Sequence, residues 1–435
     1  RSSSSSSSSS SLREYRAVVM VFMRGGADTF NVLVPIECPL YEEYKAVRRN
    51  IAYQSLDDFH KINATGQPCA HFGVHKALPH IAGLYRAGHA AFVSNLGALQ
   101  GPVTRETLAS GSGLSCNGWY SHKHMQASAQ TLVCQTPGAA PKGAGGRIAD
   151  ALGSGQMKYR AQSFSVIGNN IFLKGDRSTY QVVDKRLGTV RFHDLSKWED
   201  VLANITRHKH GNVFCEEYAQ AFSDQVREAT DLGNHLDAVE LLTSYATDYD
   251  FAEQLHQVAR LIATRDARQS ERDFFFVGLN RWDMHHNLME DLPVELEKLD
   301  LGIHGFVQEL NASGVFENVT IVTHSDFGRT LTSNGDGADH AWAGNHMVIG
   351  GSVHGGQVLN DFPETLLEHS HNHSNAYDAG RGRLIPKYPW ESVMAPIARW
   401  MGVADSQLGA VFPNYRNFNE SEHIIGAARG DSLFH

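Results

Sequence analysis

The sequence predicts an α/β fold: a doubly wound, largely parallel sheet flanked by helices, with a helical insertion. Two patterns carry that expectation. Short runs apolar on both faces recur along the chain, as buried strands of a parallel sheet require. Between them lie amphipathic segments at helical spacing, so β and α elements alternate.

The first run is AVVMVFM at 17–23, followed at once by the turn-rich RGGADTFN. HAAFVSNLGAL at 89–99 repeats that grammar, and SFSVIG (163–168), DFFFVGL (273–279), NVTIVTH (318–324) and HMVIGG (346–351) continue it. Helical patterns occupy HKALPHIAGLYRAG before the second run, ELEKLDLGIHGFVQELNASG before NVTIVTH, and ESVMAPIARWMG near the end. The sequence from about 198 to 268 is charged and helical and reads as an insertion into one domain spanning 16–435. Residues 1–15 form a serine-rich N-terminal segment. Polyserine buries no apolar surface, so it serves as a linker or lies against a protein assembly partner. An opening on RSSSSSSSSSSL instead of Met suggests a processed or incompletely determined start.

With 435 residues and 42% apolar content the chain can bury a substantial core. Its net charge of -9, with no dense Lys/Arg block, argues against nucleic acid as a partner. No apolar segment approaches the roughly 20 residues of a membrane span. Five cysteines, Cys38, Cys69, Cys116, Cys134 and Cys215, show no CxxC spacing; disulfides would leave one over. Six N-x-S/T sequons, at Asn63, Asn204, Asn311, Asn318, Asn372 and Asn419, exceed the roughly three expected by chance and favour a secreted or extracellular glycoprotein.

Active sites of doubly wound sheets gather at the carboxyl ends of strands. After the first run, Gly25 and Gly26 permit a tight turn that presents Asp28 and Thr29, although an Asp there also serves as a turn cap. NRWDMHHN after DFFFVGL places Asp283 and His285 on one face of an extended stretch, where they could grip one cation. NVTIVTH leads into Ser325, Asp326 and the FGRT turn containing Arg329, then Asp339 and His340 in a glycine-rich loop. Mixed carboxylate and imidazole donors suit catalytic zinc, manganese or iron better than a structural zinc site. Twenty-four histidines weaken any single-histidine argument, and the His-rich HSHNHSN at 369–375 reads as a surface loop. GWYSHKHMQ offers Ser121 beside His122 and His124 as a nucleophile, and Arg105 in GPVTRET could clamp a tetrahedral oxyanion. A G-x-S-x-G elbow, a Walker A loop and a dinucleotide G-x-G-x-x-G are all missing from the sequence.

The ordered motifs RGGADTFNVLVP, LGALQGPVTRET, YSHKHMQ, GGRIADAL, SDFGRTLTSNGDGADHAW, GRGRLIP and VFPNYRNF resemble the domain of unknown function 1501 family, related to alkaline phosphatases and sulfatases, from about Arg16 to Phe418. The resemblance implies an alkaline phosphatase-like domain with a metal-bearing Asp28, a nucleophilic Ser121, Asp283 with His285, Asp326, and His340. Relatives place His directly after the third-cluster Asp, whereas Phe327 stands here, which puts a complete two-metal site in doubt. WDMHHN likewise differs from the DTH of relatives by Met284 but keeps both ligands.

The expected activity is therefore a secreted metal-dependent hydrolase of phosphate or sulfate esters. Its metal set is Asp28, Asp283, His285, Asp326, Asp339 and His340, and Arg105 or Arg329 steadies the anion. The ion expected is divalent: zinc, manganese, calcium or magnesium. The expected partner is a small anionic ester or a glycan. The alternative is a non-catalytic extracellular structural or assembly protein that reuses the fold.

Overall fold

The computed structural model describes residues 13–111, 116, 118–135, 140–155, 157–189, 191, 195–207, 211–244, 247–426 and 429–435. The serine run lies outside the described residues, and so does any contact it makes.

In chain order the strands are β1 (Arg16–Met23), β2 (Leu33–Ile36), β3 (Phe59–Asn63), β4 (His71–His75), β5 (Ala90–Gly97), β6 (Ala161–Ser165) and β7 (Gln181–Val182). Then come β8 (Arg272–Leu279), β9 (Val319–Ser325), β10 (Arg329–Ser333), β11 (Ala338–His340), β12 (Gly344–Gly350), β13 (Val358–Leu359) and β14 (Tyr388–Pro389). The helices are α1 (Pro39–Arg48), α2 (Pro79–Arg86), α3 (Arg105–Ala109), α4 (His122–Thr131), α5 (Ala144–Ser154) and α6 (Leu195–Arg207). They continue with α7 (Val213–Asp237), α8 (Asp250–Ala263), α9 (Leu288–Ala312), α10 (Glu391–Met401), α11 (Asp405–Val411) and α12 (Glu420–His423).

The main sheet has the order β13-β5-β12-β9-β1-β8-β6-β7, with β14 also on β5. All its described pairings are parallel except those of β12. The expected α/β class holds, and the direction of β12 refines it. β12 follows β9 through the β10–β11 hairpin with no crossover helix, so the chain returns antiparallel. A separate antiparallel sheet, β2-β4-β3, was not foreshadowed by the sequence; its strands FHKIN and HFGVH are short and mixed in polarity.

β1 sits at the centre because it can be buried on both faces. Alternation sends Ala17, Val19, Val21 and Met23 into one core with α8 and α9, and Val18, Met20 and Phe22 into the other with α5 and α10. Proline at the first turn starts α1 and α2, where its missing N–H costs nothing. α6 pairs with α7, whereas α8 packs on β8 and α9. Two disulfides, Cys38–Cys69 and Cys116–Cys134, tie loops on either side of β5, and Cys215 is left free and exposed.

Glu391 opens α10 in the second core, where its Oε1 has no hydrogen-bond partner. Burial pushes its carboxyl up to about 8 from an ordinary 4.5. A folded value above the unfolded one means that its share of stability is complete below about 4.5 and is lost as pH rises through about 8. Thermal unfolding of wild type and Glu391→Gln at pH 5 and pH 8.5 should show the variant gaining on wild type at the higher pH. Melting curves that stay parallel across that range would refute the assignment.

Candidate metal centre

β1, β8 and β9 end side by side, with Met23 opposite both Leu279 and Ser325. This is the carboxyl edge at which open parallel sheets bind ligands. Two glycines let the three exits close together. Gly25 has φ 123, and a Cβ on it would lie 2.5 Å from the Asp283 amide nitrogen; Gly26 has φ 82, and its Cβ would meet the Phe327 ring at 2.3 Å.

Arg329 knots these exits from below. Fully buried, it donates from Nε to the Gly26 carbonyl (2.7 Å), from Nη1 to Ala338 (3.0 Å), and from Nη2 to Trp282 (3.2 Å), to Gly25 and to Asp283 Oδ1. Above it three imidazoles converge on Asp283. Oδ1 lies 3.2 Å from Nε2 of both His285 and His340, and Oδ2 lies 3.4 Å from His122 Nε2. One ligand atom from each of His122, Asp283 and His340 lies within 4.8 Å of the others.

Each ring has its second nitrogen engaged by an acceptor. His122 Nδ1 donates to Asp326 Oδ2 (2.8 Å), His340 Nδ1 to the Tyr120 carbonyl (2.7 Å), and His285 Nδ1 faces Asp339 Oδ1 (3.3 Å). Acceptors on Nδ1 put the proton there and leave the Nε2 lone pairs turned toward Asp283. His285 and His340 bring those Nε2 atoms to 2.8 Å from each other. Two lone pairs at that distance repel unless a cation or proton lies against them. The donor set thus fits a divalent ion, with second-nitrogen anchors of the kind that metal-ligating histidines use.

The charges agree with this arrangement. Burial raises the Asp283 carboxyl, but the Arg329 hydrogen bond and charge, with His340 and His122, bring it down to about 2. The Asp326 hydrogen bond raises His122, and burial lowers His340. For Asp339 burial acts upward, yet Asn334, His285 and Arg381 hold it below the usual range.

Of the residues expected from the sequence, Asp283, His285 and His340 meet, and Asp339 stands one bond behind them. Asp326 also stands behind the cluster: buried, it accepts from the Gly25 amide (3.2 Å), His122 and Gln126 Nε2 (2.9 Å), so its acceptor positions hold other groups in place. Asp28 does not join them; it forms a fully buried ion pair with Arg48 of α1. Arg329 is fully buried against carbonyls and Asp283, which sets it beneath the cluster and away from any substrate. Arg105, the first residue of α3, donates to the Asp378 carbonyl (2.7 Å). Ser121 precedes α4, with its hydroxyl 3.1 Å from His124 Nδ1. His122 is the imidazole of the cluster that the sequence did not single out as a metal donor. It stands outside the strand-end pattern, and its partner Asp326 lies 204 residues away. Among the sequons, Asn63, Asn204, Asn311, Asn372 and Asn419 are exposed and Asn318 is half-buried; Asn204 and Asn311 lie inside helices.

Residues 15–407 match the family model described as "Protein of unknown function (DUF1501)". The chain belongs to the DUF1501 family. No curated protein matches it. Solved structures similar to this DUF1501 protein include Ps i-CgsB in complex with k-i-k-neocarrahexaose, at 12% identity and TM-score 0.36, covering 94% of this chain and 77% of that one. The lipoteichoic acid synthase LtaP from Listeria monocytogenes gives 8% identity and TM-score 0.35 over 90% and 73% of the two chains. The phosphonate monoester hydrolase SpPMH from Silicibacter pomeroyi gives 11% and 0.35 over 97% and 76%. Likenesses this distant carry no argument about what this chain binds or does.

Asp326→Asn should keep the fold and weaken zinc binding about 10- to 100-fold, as loss of a partner to a ligating histidine does elsewhere. A competition titration with a chromophoric chelator measures it, and an unchanged affinity would remove Asp326 from this role. Arg48→Met should cost about 3–5 kcal/mol in denaturant unfolding by stranding the Asp28 carboxylate, while metal affinity stays as in wild type. A parallel loss of metal would return Asp28 to the ligand set.

Proposed function

We propose that this DUF1501 protein is a secreted metal-dependent hydrolase of phosphate or sulfate esters, acting on a small anionic ester or an ester-bearing glycan. The observation that carries the reading is the convergence of three Nε2 lone pairs on Asp283, each ring anchored through Nδ1. His122, His285, His340 and Asp283 would hold the ion. Three imidazoles favour zinc or manganese over calcium or magnesium. When bound, a divalent ion supplies Lewis-acid polarisation of an ester oxygen.

The remaining chemistry belongs to the chain itself. Ser121 Oγ lies 3.1 Å from His124 Nδ1, within reach of an imidazole that would take the hydroxyl proton during attack. Arg383, whose Nε donates to the His340 carbonyl (3.2 Å), and the exposed Arg381 beside Asp339 (3.0 Å) place positive charge at the rim, where an anionic ester would approach. Two disulfides support an oxidising, extracellular setting. Among the described residues no helix is long and apolar enough to cross a membrane.

A second reading, a non-catalytic extracellular assembly protein, draws on Arg329, which already supplies a cation to Asp283. Elemental analysis and assay of one preparation separate the two. The hydrolase should carry close to one zinc or manganese per chain and turn over aryl phosphate or aryl sulfate. Asp283→Ala should lose the metal and at least 100-fold in rate, and Ser121→Ala the rate alone. Metal-free native protein that takes up none on reconstitution would leave the assembly reading.

A further inference from the structure

α7 carries apolar surface that is left exposed among the described residues. At about 100° per residue Phe214, Tyr218, Phe222, Leu232 and Leu236 fall on one arc of about 80°. The C-terminal end of that stripe is inside the protein, with Leu232 and Leu236 buried in the first core. Its N-terminal end continues outward with Phe214 83% and Tyr218 76% exposed, and Phe222 partly so. Aromatic side chains left this open on a rigid helix are the kind that anchor protein interfaces.

Cys215 borders the same stripe, exposed and unpaired, in a chain whose four other cysteines are already joined in two disulfides. An exposed thiol in such a protein pairs between molecules or is capped. A second copy supplies the matching thiol and the matching stripe from a single patch, as a two-fold interface requires. Glu216, Asp224 and Asp231 lie on the far side of α7 from the stripe, and Glu217 and Glu228 flank it, at the rim of a contact between two copies. Those acids also set α7 against an anionic lipid surface, because Arg227 is its sole Lys or Arg.

We propose that the N-terminal half of α7 is a homodimer interface, centred on Phe214 and Tyr218 and locked by a Cys215–Cys215 disulfide. The closing step is thiol–disulfide exchange: two Cys215 thiols and one oxidised glutathione give the intermolecular S–S bond and two reduced glutathiones, which carry away the two protons and two electrons.

The full chain at micromolar concentration in a glutathione redox buffer, quenched with iodoacetamide, tests this by light scattering after gel filtration and by intact mass. The expected species is a dimer of twice the chain mass, split by reductant, with Cys215 in the linking peptide. Cys215→Ser should give a dimer that dissociates on dilution, and Phe214→Ser with Tyr218→Ser should lower the covalent dimer at least tenfold. Both variants change exposed residues, so unchanged melting temperatures verify their folds. A monomer with Cys215 capped by glutathione or alkylated would overturn the proposal. So would a dimer indifferent to both variants, or a monomer that floats with phosphatidylcholine–phosphatidylglycerol vesicles.

Discussion

The buried guanidinium of Arg329 is the interaction on which the functional end of this fold depends. One side chain donates to the Gly25 and Gly26 carbonyls in the turn after β1, to the carbonyl before Asp283, and to the backbone of β11. Turn carbonyls buried at the edge of the sheet have no strand partner, and each would carry a desolvation cost if left unbonded. A planar fork with five donors meets several of them at once, which a lysine could not. The same fork holds Asp283 at the surface with its carboxylate ionised. The fold's closure and the charge of the site are therefore one arrangement.

That arrangement also explains why His122 can come from outside the strand-end loops. Its segment lies between Cys116 and Cys134 and supplies, besides the ring itself, the Tyr120 carbonyl that orients His340 and the Gln126 amide that helps hold Asp326. The far end of α4 is fastened separately, by Arg147 to the Thr131 carbonyl (2.6 Å) and Asn414 to that of Leu132 (2.9 Å). A disulfide at both roots of this loop and hydrogen bonds at its base limit how far His122 can stray from Asp283. Precision of this order is what a ligand set drawn from several loops needs.

The strands were legible because burial on both faces leaves an unbroken apolar run, and β1, β5, β8, β9 and β12 all carry one. Direction was not: β12 reads like its parallel neighbours, and only the absence of a crossover between β9 and β12 turns it round. β3 and β4 escaped notice because short strands of mixed polarity have no distinctive period, and β2, the four-residue LVPI, is too short and is interrupted by Pro35. At the site, Asp283, His285 and His340 could be found since they follow strand ends. The partners that decide each acid's role could not. Arg48 of α1, which claims Asp28, and His122, which claims Asp326, are brought near only by the folded chain.

The acids around the cluster bear on how many cations the place suits. A second ion would need carboxylate oxygens with free lone pairs near the first. Asp326 is committed to a backbone amide, an imidazole and an amide side chain, and Asp339 to Arg381, Asn334 and His285, whereas Asp28 meets Arg48 through Oδ2 and keeps Oδ1 without a hydrogen-bond partner. Phe327 closes the remaining side: its ring lies against Gly26 and packs with His122 and His340 at centroid distances of 5.0 and 4.7 Å. An apolar wall there excludes ligands and water alike, and it stiffens the two imidazoles that it touches. Among these residues only Asp283 keeps an oxygen turned toward the open imidazole nitrogens, which suits the constellation to one ion and not to a pair.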